Sequence, residues 1–250
     1  VGVLSKFRNL TELVTWNPGI TGLGFSFIIS YNNRMRYKSL FFDLDDTLYP
    51  SASGLWEAIR ARMNTYMQKF MDLPLDEISA IRQGYLEKFG TTLRGLQSQY
   101  QVDADDYLAY VHDLPLEKFI KPDPELHKLL LSLPQKRWIF TNADRNHVRK
   151  VISILGVADC FDGIIDIHAV EFACKPDKLA YQRALSITGD DEPSSCVIFD
   201  DAVRNLAPAG KLGFHTVLVG KDGPEPQVDR VIPSLHMLKE HMPELWENDR

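Results

Sequence analysis

Cysteine is scarce: Cys160, Cys174 and Cys196 are the only three in 250 residues, and no two form a CxxC pair. A disulfide framework is therefore excluded, and a reducing interior is the simpler setting, with each thiol a small apolar core group. Positive charge is also short, with 28 Lys and Arg against 34 Asp and Glu and a net charge of −6. That balance argues against nucleic acid or an anionic membrane as the main partner. If the substrate is a phosphate, its attraction has to come from local charge, either a metal ion or one placed lysine. The apolar stretch Gly19 to Ser30 is shorter than the ~20 residues a spanning helix needs. Repeats and low-complexity tracts are missing. What remains, 44% hydrophobic and 25% charged residues, suits a globular chain of one large domain, or one domain with a smaller insertion.

Residues 1–36 differ from the rest. They carry Lys6, Arg8, Arg34 and Arg36 against only Glu12, and the first methionine is Met35. We expect this leader to be dispensable to the fold. Cytoplasmic localisation is the first expectation, and a plastid or mitochondrial address is the alternative if the basic, acid-poor leader acts in targeting.

Beyond it, short apolar runs alternate with helical segments. Leu40–Leu44, Trp138–Thr141, Gly163–Ile167, Cys196–Phe199 and Thr216–Val219 read as strands, apolar throughout as in a parallel sheet covered on both faces. Asp144 is a plausible N-cap before Val148, Val151, Ile152 and Leu155, with Gly156 as the stop. Asp177 caps another helix through Ala184 and Leu185, and a third runs from about Ala202 to Leu212 before Gly213. This alternation predicts the α/β class, with a Rossmann-like doubly wound parallel sheet.

One connection, from Pro50 to Phe119, is too long for that scheme. Leu55, Ile59, Met63, Tyr66 and Phe70 make one stripe at helical spacing, and Ile78, Ile81, Tyr85 and Phe89 belong to a second. The spacing predicts an all-helical cap over residues 51–118, inserted after the first strand into a core of 37–50 and 119–250. Proline and small residues flank it as hinges, and its place over the carboxyl ends of the strands makes it a lid candidate.

The chemistry concentrates at strand ends. Phe41 and Phe42 lead into Asp43, Leu44, Asp45, Asp46 and Thr47. Three carboxylates in four residues repel one another unless a cation neutralises them. Asp200 and Asp201 follow a second strand, and two such clusters along one sheet edge suit a hard divalent ion. The plainer readings are an acidic turn and a pair of helix N-cap acids. Thr141 and Asn142 offer a hydroxyl and backbone N–H groups near a helix start, a good anion cradle. Lys175 stands just before another helix. Alone, neither has much specificity; their order with the acids carries the weight.

This ordered set resembles the haloacid dehalogenase-like hydrolase superfamily. The family's DxDxT motif stands as Asp43, Asp45 and Thr47, its strand-ending Thr as Thr141, its Lys as Lys175, and its acidic pair as Asp200 and Asp201. Phe140 to Asp144, Cys174 to Pro176, Phe199 to Asn205 and Phe89 to Gly95 look like the pyrimidine 5′-nucleotidase branch, which usually has Ser where this chain has Ala202.

The resemblance implies that Asp43 attacks phosphorus and forms an aspartyl phosphate, while Asp45 protonates the leaving oxygen and then activates water. It implies Mg²⁺ held by Asp43, Asp201 and the Asp45 backbone carbonyl, with Asp200 outside the first ligands or paired with Lys175. Thr141 and the Asn142 N–H would hold phosphate oxygens, and Lys175 would offset repulsion between anions. UMP and CMP are the implied substrates, so the expected partner is a small phosphorylated metabolite.

The rivals are a phosphatase broad in its nucleotides or sugars, a phosphosugar mutase, a carbon-centred dehalogenase, and a receiver-like phosphorylatable module. Asp45 and Asp201 count against the dehalogenase. Asp45 and the helical insertion count against the receiver.

Overall fold

Tyr37 to Leu44 are among the most buried residues of the chain apart from the exposed Lys38, and this is why the sheet is built around them. The structure, a computed structural model, describes residues 36–247, so the expectation for the leader lies, Arg36 apart, outside the described residues. Six strands form one sheet: β1 (Ser39–Phe42), β2 (Lys136–Phe140), β3 (Gly163–Ile165), β4 (Cys196–Asp200), β5 (His215–Val219) and β6 (Arg230–Ile232). Their order is β3-β2-β1-β4-β5-β6 and every pairing is parallel. β1 therefore has β2 on one side and β4 on the other, and the switch in winding direction, where such sheets bind ligands, falls beside it.

Side chains alternate across the sheet, so the two faces take different residues of the same strand. Leu40 and Phe42 pack under α5 (Pro124–Ser132) and α6 (Arg145–Leu155). Phe41 packs on the opposite face with Tyr181 of α7 (Lys178–Thr188) and Leu206 of α8 (Val203–Leu212). Burying each such side chain contributes about 1.5–3 kcal/mol, and Phe42 adds a stacked contact with Phe199, ring centres 4.6 Å apart.

The expected helix caps are present. Asp144 accepts from the N–H groups of Asn146 and His147, and Asp177 from that of Leu179. Gly156, Gly189 and Gly213 end the three helices with left-handed backbone.

Several boundaries differ from the sequence reading. Leu44, Thr141 and Ile167 lie beyond the ends of β1, β2 and β3, because the chain leaves the sheet there to turn into the site loops. β6 was not anticipated; at three residues, starting with Arg230, it lacks an apolar run. α5 was not anticipated either, although Asp123 caps it and Pro124 opens it.

The long connection is helical, as expected, with α1 (Leu55–Met71), α2 (Leu75–Phe89), α3 (Thr92–Gln99) and α4 (Ala104–Val111). Its Tyr66, Met67, Ile78, Leu96, Tyr107 and Val111 form a second small core together with Ile167 and Cys174, while Leu55 and Ile59 pack into the main one. Phe70, the last member of the first stripe, is 52% exposed, because the stripe runs past the end of that small core. Gly95 is a packing requirement: a Cβ there would stand 2.1 Å from the Tyr85 ring. Gly90, with φ +86°, lies against Cys174 and Pro176, and its carbonyl accepts from Arg204 of α8. The insertion thus touches the core at the loop that carries Lys175.

Candidate active site

The register of the sheet assembles the acids. Phe42 lies level with Phe199, and the Asp43 N–H continues the ladder by donating to the Phe199 carbonyl at 2.9 Å. Asp43 therefore stands next to Asp200, although 157 positions separate them in the chain. Oxygens of Asp43, Asp200 and Asp201 lie within 4.8 Å of one another.

Lys175 is the counter-charge. It is 1% exposed, and its Nζ donates to Asp43 Oδ1 at 2.8 Å and Asp200 Oδ2 at 2.6 Å. Burial alone would lower its pKa, but the charges of Asp200 and Asp43 raise it above the ordinary lysine value, so it stays cationic.

Asn142 sets the loop that delivers this lysine. Its side chain accepts from the Lys175 N–H at 2.8 Å and donates to the Lys175 carbonyl at 3.0 Å. Thr141 is 2% exposed, and its Oγ1 accepts from the Ala143 N–H, which leaves the hydroxyl hydrogen available to donate.

Asp200 has a different standing from its neighbours. One oxygen accepts from the Ala202 N–H and the Asn205 amide, and the other from Lys175 and the same amide. It is fully buried and does not line the cavity, whereas Asp43, Asp45, Thr141, Asn142, Lys175 and Asp201 all do. Asp200 is thus paired with Lys175.

The remaining carboxylates are short of positive charge. Burial raises the Asp43 carboxyl well above the usual range, Lys175 pulls it down, and Asp200 and Asp201 push it up again. Asp201 is raised by burial and by Asp200. Asp46, in left-handed backbone with φ 60°, is pushed up to about 6 by burial and then by Asp45. An all-oxygen donor set that one lysine leaves under-neutralised fits a hard divalent cation.

Asp45 is held quite differently, by groups that sequence reasoning missed. Its Oδ1 accepts from the Tyr49 hydroxyl at 2.5 Å and from His147 Nε2 at 2.8 Å. Burial would raise its pKa, but His147 and Tyr49 outweigh that and bring it below the ordinary value. His147 is fully buried and stacks on His112, ring centres 4.1 Å apart, while His112 Nδ1 meets Asp144 Oδ2 at 2.5 Å. A signal for His147 existed: it falls on the apolar stripe of α6 with Val148, Val151 and Ile152, where a polar residue needs a partner. Tyr49 and His112 carried none.

Asp43, Asp45 and Asp201 line a cavity of about 300 Å³ together with Trp56, Arg60, Met63, Arg82 and Tyr107 of the insertion.

A family model for haloacid dehalogenase-like hydrolases matches residues 37–213. The chain belongs to that family. As a haloacid dehalogenase-like hydrolase it is 30% identical over 195 residues to phosphate metabolism protein 8 of Saccharomyces cerevisiae, covering 72% of this chain. It spans 61% of that relative's length.

Solved structures share the fold at lower identity. YfnB of Bacillus subtilis, a HAD-hydrolase bound to magnesium, gives a TM-score of 0.56 at 18% identity, over 82% of this chain and 98% of that one. A HAD phosphatase from Thermococcus onnurineus gives 0.53 at 20%, over 81% and 96%. L-2-haloacid dehalogenase from Xanthobacter autotrophicus, with chloropropionic acid covalently bound, gives 0.53 at 17%, over 82% and 97%. Among the described residues, no helix is long and apolar enough to cross a membrane.

Proposed function

We propose that this hydrolase is a phosphomonoesterase acting through an aspartyl phosphate on Asp43, with pyrimidine nucleoside 5′-monophosphates, UMP and CMP, as its substrates. The observation that carries the reading is the Lys175 ammonium bonded to both Asp43 and Asp200, with Asp201 and Asp45 completing the floor of the same cavity.

In the first step an Asp43 oxygen bonds to phosphorus, the bond from phosphorus to the ester oxygen breaks, and Asp45, having taken up the proton of the bound monoester monoanion, gives it to that oxygen. In the second, water attacks phosphorus, Asp45 takes a proton from it, and the bond to Asp43 breaks. Inorganic phosphate leaves and the carboxylate is restored. Lys175 and the Thr141 hydroxyl hold charge and oxygens at the cradle, and such positioning dominates phosphoryl transfer.

Asp43 and Asp201, with the Asp45 carbonyl, would hold Mg²⁺, which when bound supplies positive charge against the phosphoryl oxygens. Asp45 favours this reading over carbon dehalogenation, which needs no second acid. The insertion serves as the lid, and its basic wall of Arg60 and Arg82 faces the distal part of the substrate.

The test is phosphate release across nucleoside monophosphates and sugar phosphates, with Mg²⁺ and with chelator. The reading expects UMP and CMP to lead, and chelation to stop release. Equal rates on every ester would remove the pyrimidine assignment, and isomerised sugar phosphate without free phosphate would remove the phosphatase one.

A further inference from the structure

Asp45 Oδ1 takes two donors at once, the Tyr49 hydroxyl at 2.5 Å and His147 Nε2 at 2.8 Å. A carboxyl oxygen has two lone-pair directions, so this one is filled. Any proton that Asp45 carries toward a leaving group therefore sits on Oδ2.

His147 has no freedom of its own. Its ring is fully buried, its face lies on His112 at an interplanar angle of 18°, and its backbone N–H is bonded to Asp144 Oδ1. The second oxygen of Asp144 holds His112. One carboxylate thus caps the helix that carries His147 and anchors the ring stacked upon it. His147 Nδ1 has no partner among the described residues, so the Nε2 contact with Asp45 Oδ1 is the one side-chain hydrogen bond of this ring among them. His112 comes from the end of α4 in the insertion, and Asp144 and His147 come from the core.

We infer that His147, backed by His112 and Asp144, is a positioning residue that fixes Asp45 Oδ1, so that proton transfer to the leaving oxygen runs through Oδ2. This rests on the acid–base role given to Asp45 above. The step transfers one proton from Oδ2 to the ester oxygen as the phosphorus–oxygen bond breaks, and needs no other reactant.

The test uses leaving groups of different need. A nucleoside alkoxide must be protonated as it departs, whereas p-nitrophenolate leaves without help. First-turnover alcohol release is measured by rapid quench in Mg²⁺ for the full chain and its His147→Leu and His147→Gln variants, on UMP and on p-nitrophenyl phosphate. His147→Leu should slow uridine release about 100-fold, the low end of what general acid catalysis supplies. It should leave p-nitrophenol release within about threefold of wild type, and that arm also reports an intact Asp43 site. His147→Gln, which keeps a donor near the Nε2 position, should recover most of the loss. Equal slowing of both substrates by His147→Leu would mark a merely structural residue, and no slowing of uridine release would mark an idle one; either overturns the inference. Failure of the underlying reading looks different, with Asp45→Asn releasing uridine at the wild-type rate.

Discussion

The two walls of the cavity are built from opposite chemistry. The core wall is anionic: Asp43, Asp45 and Asp201 hang from strand ends or the loops after them, Lys175 lines the cavity beside them, and Asp200 is buried behind, the side chains of this last pair at most 1% exposed. The insertion wall is basic and apolar, with Arg82, and Arg60 paired with Glu57, beside Trp56, Met63 and Tyr107. It belongs to a small helical core whose edge leaves Phe70 and Leu75 exposed. On the proposed reading, the floor serves the phosphoryl centre and the roof serves whatever is attached to it.

The comparison breaks most severely if the counter-charge is removed from the floor. Lys175→Met leaves Asp43 and Asp200 buried without their shared cation, and losing one partner of a buried ion pair costs about 3–5 kcal/mol. We expect lost turnover together with a lower denaturation midpoint. A Lys175→Met variant of unchanged stability would show that the buried pair does not hold the floor together.

A roof substitution should act on substrate choice instead. Arg82 donates to Asn64 at 3.0 Å and pairs with no carboxylate among the described residues, while burial and the like charge of Arg60 pull its pKa below the ordinary guanidinium value. Arg82→Ala should raise KM for UMP about tenfold, the loss of one hydrogen bond to a charged donor. KM for ribose 5-phosphate should hardly move. Equal changes for both substrates would mean the two walls do not divide the work.

The smallest effect is in acid. Burial would raise the Asp144 carboxyl, but His112 and the N–H groups of His147 and Asn146 outweigh it and hold the pKa below the ordinary carboxylate range. A depressed folded-state pKa gives stability that is present above the unfolded value, about 4, and lost as pH falls toward the folded one. Asp144→Asn should therefore lower stability at neutral pH and flatten its decline below about pH 4. Denaturation midpoints against pH, wild type beside variant, read this directly; parallel curves would contradict it.

The same contrast explains what was legible in the sequence. Asp43, Asp45, Asp200 and Asp201 could be found because each follows an apolar strand, and parallel strands bring their carboxyl ends to one edge. Asn142 was legible for its backbone N–H near a helix start, but not for its side chain, which holds the Lys175 backbone in a contact across 33 residues that no local spacing encodes. His112 was invisible for the same reason, since it reaches Asp144 from the end of the insertion. The insertion showed its helices through apolar stripes, but not what its basic wall faces, because helical periodicity records burial and not ligands.

The claim at the centre is that Asp43 carries the phosphoryl group. Acid quench during UMP turnover in Mg²⁺, followed by peptide mapping, measures this most directly. The account predicts an acid-stable, base-labile phosphoryl group on the peptide containing Asp43, absent from the Asp43→Asn variant, which should also be inactive but folded. A phosphoryl group on another residue, or an Asp43→Asn variant with near-normal phosphate release, would contradict it.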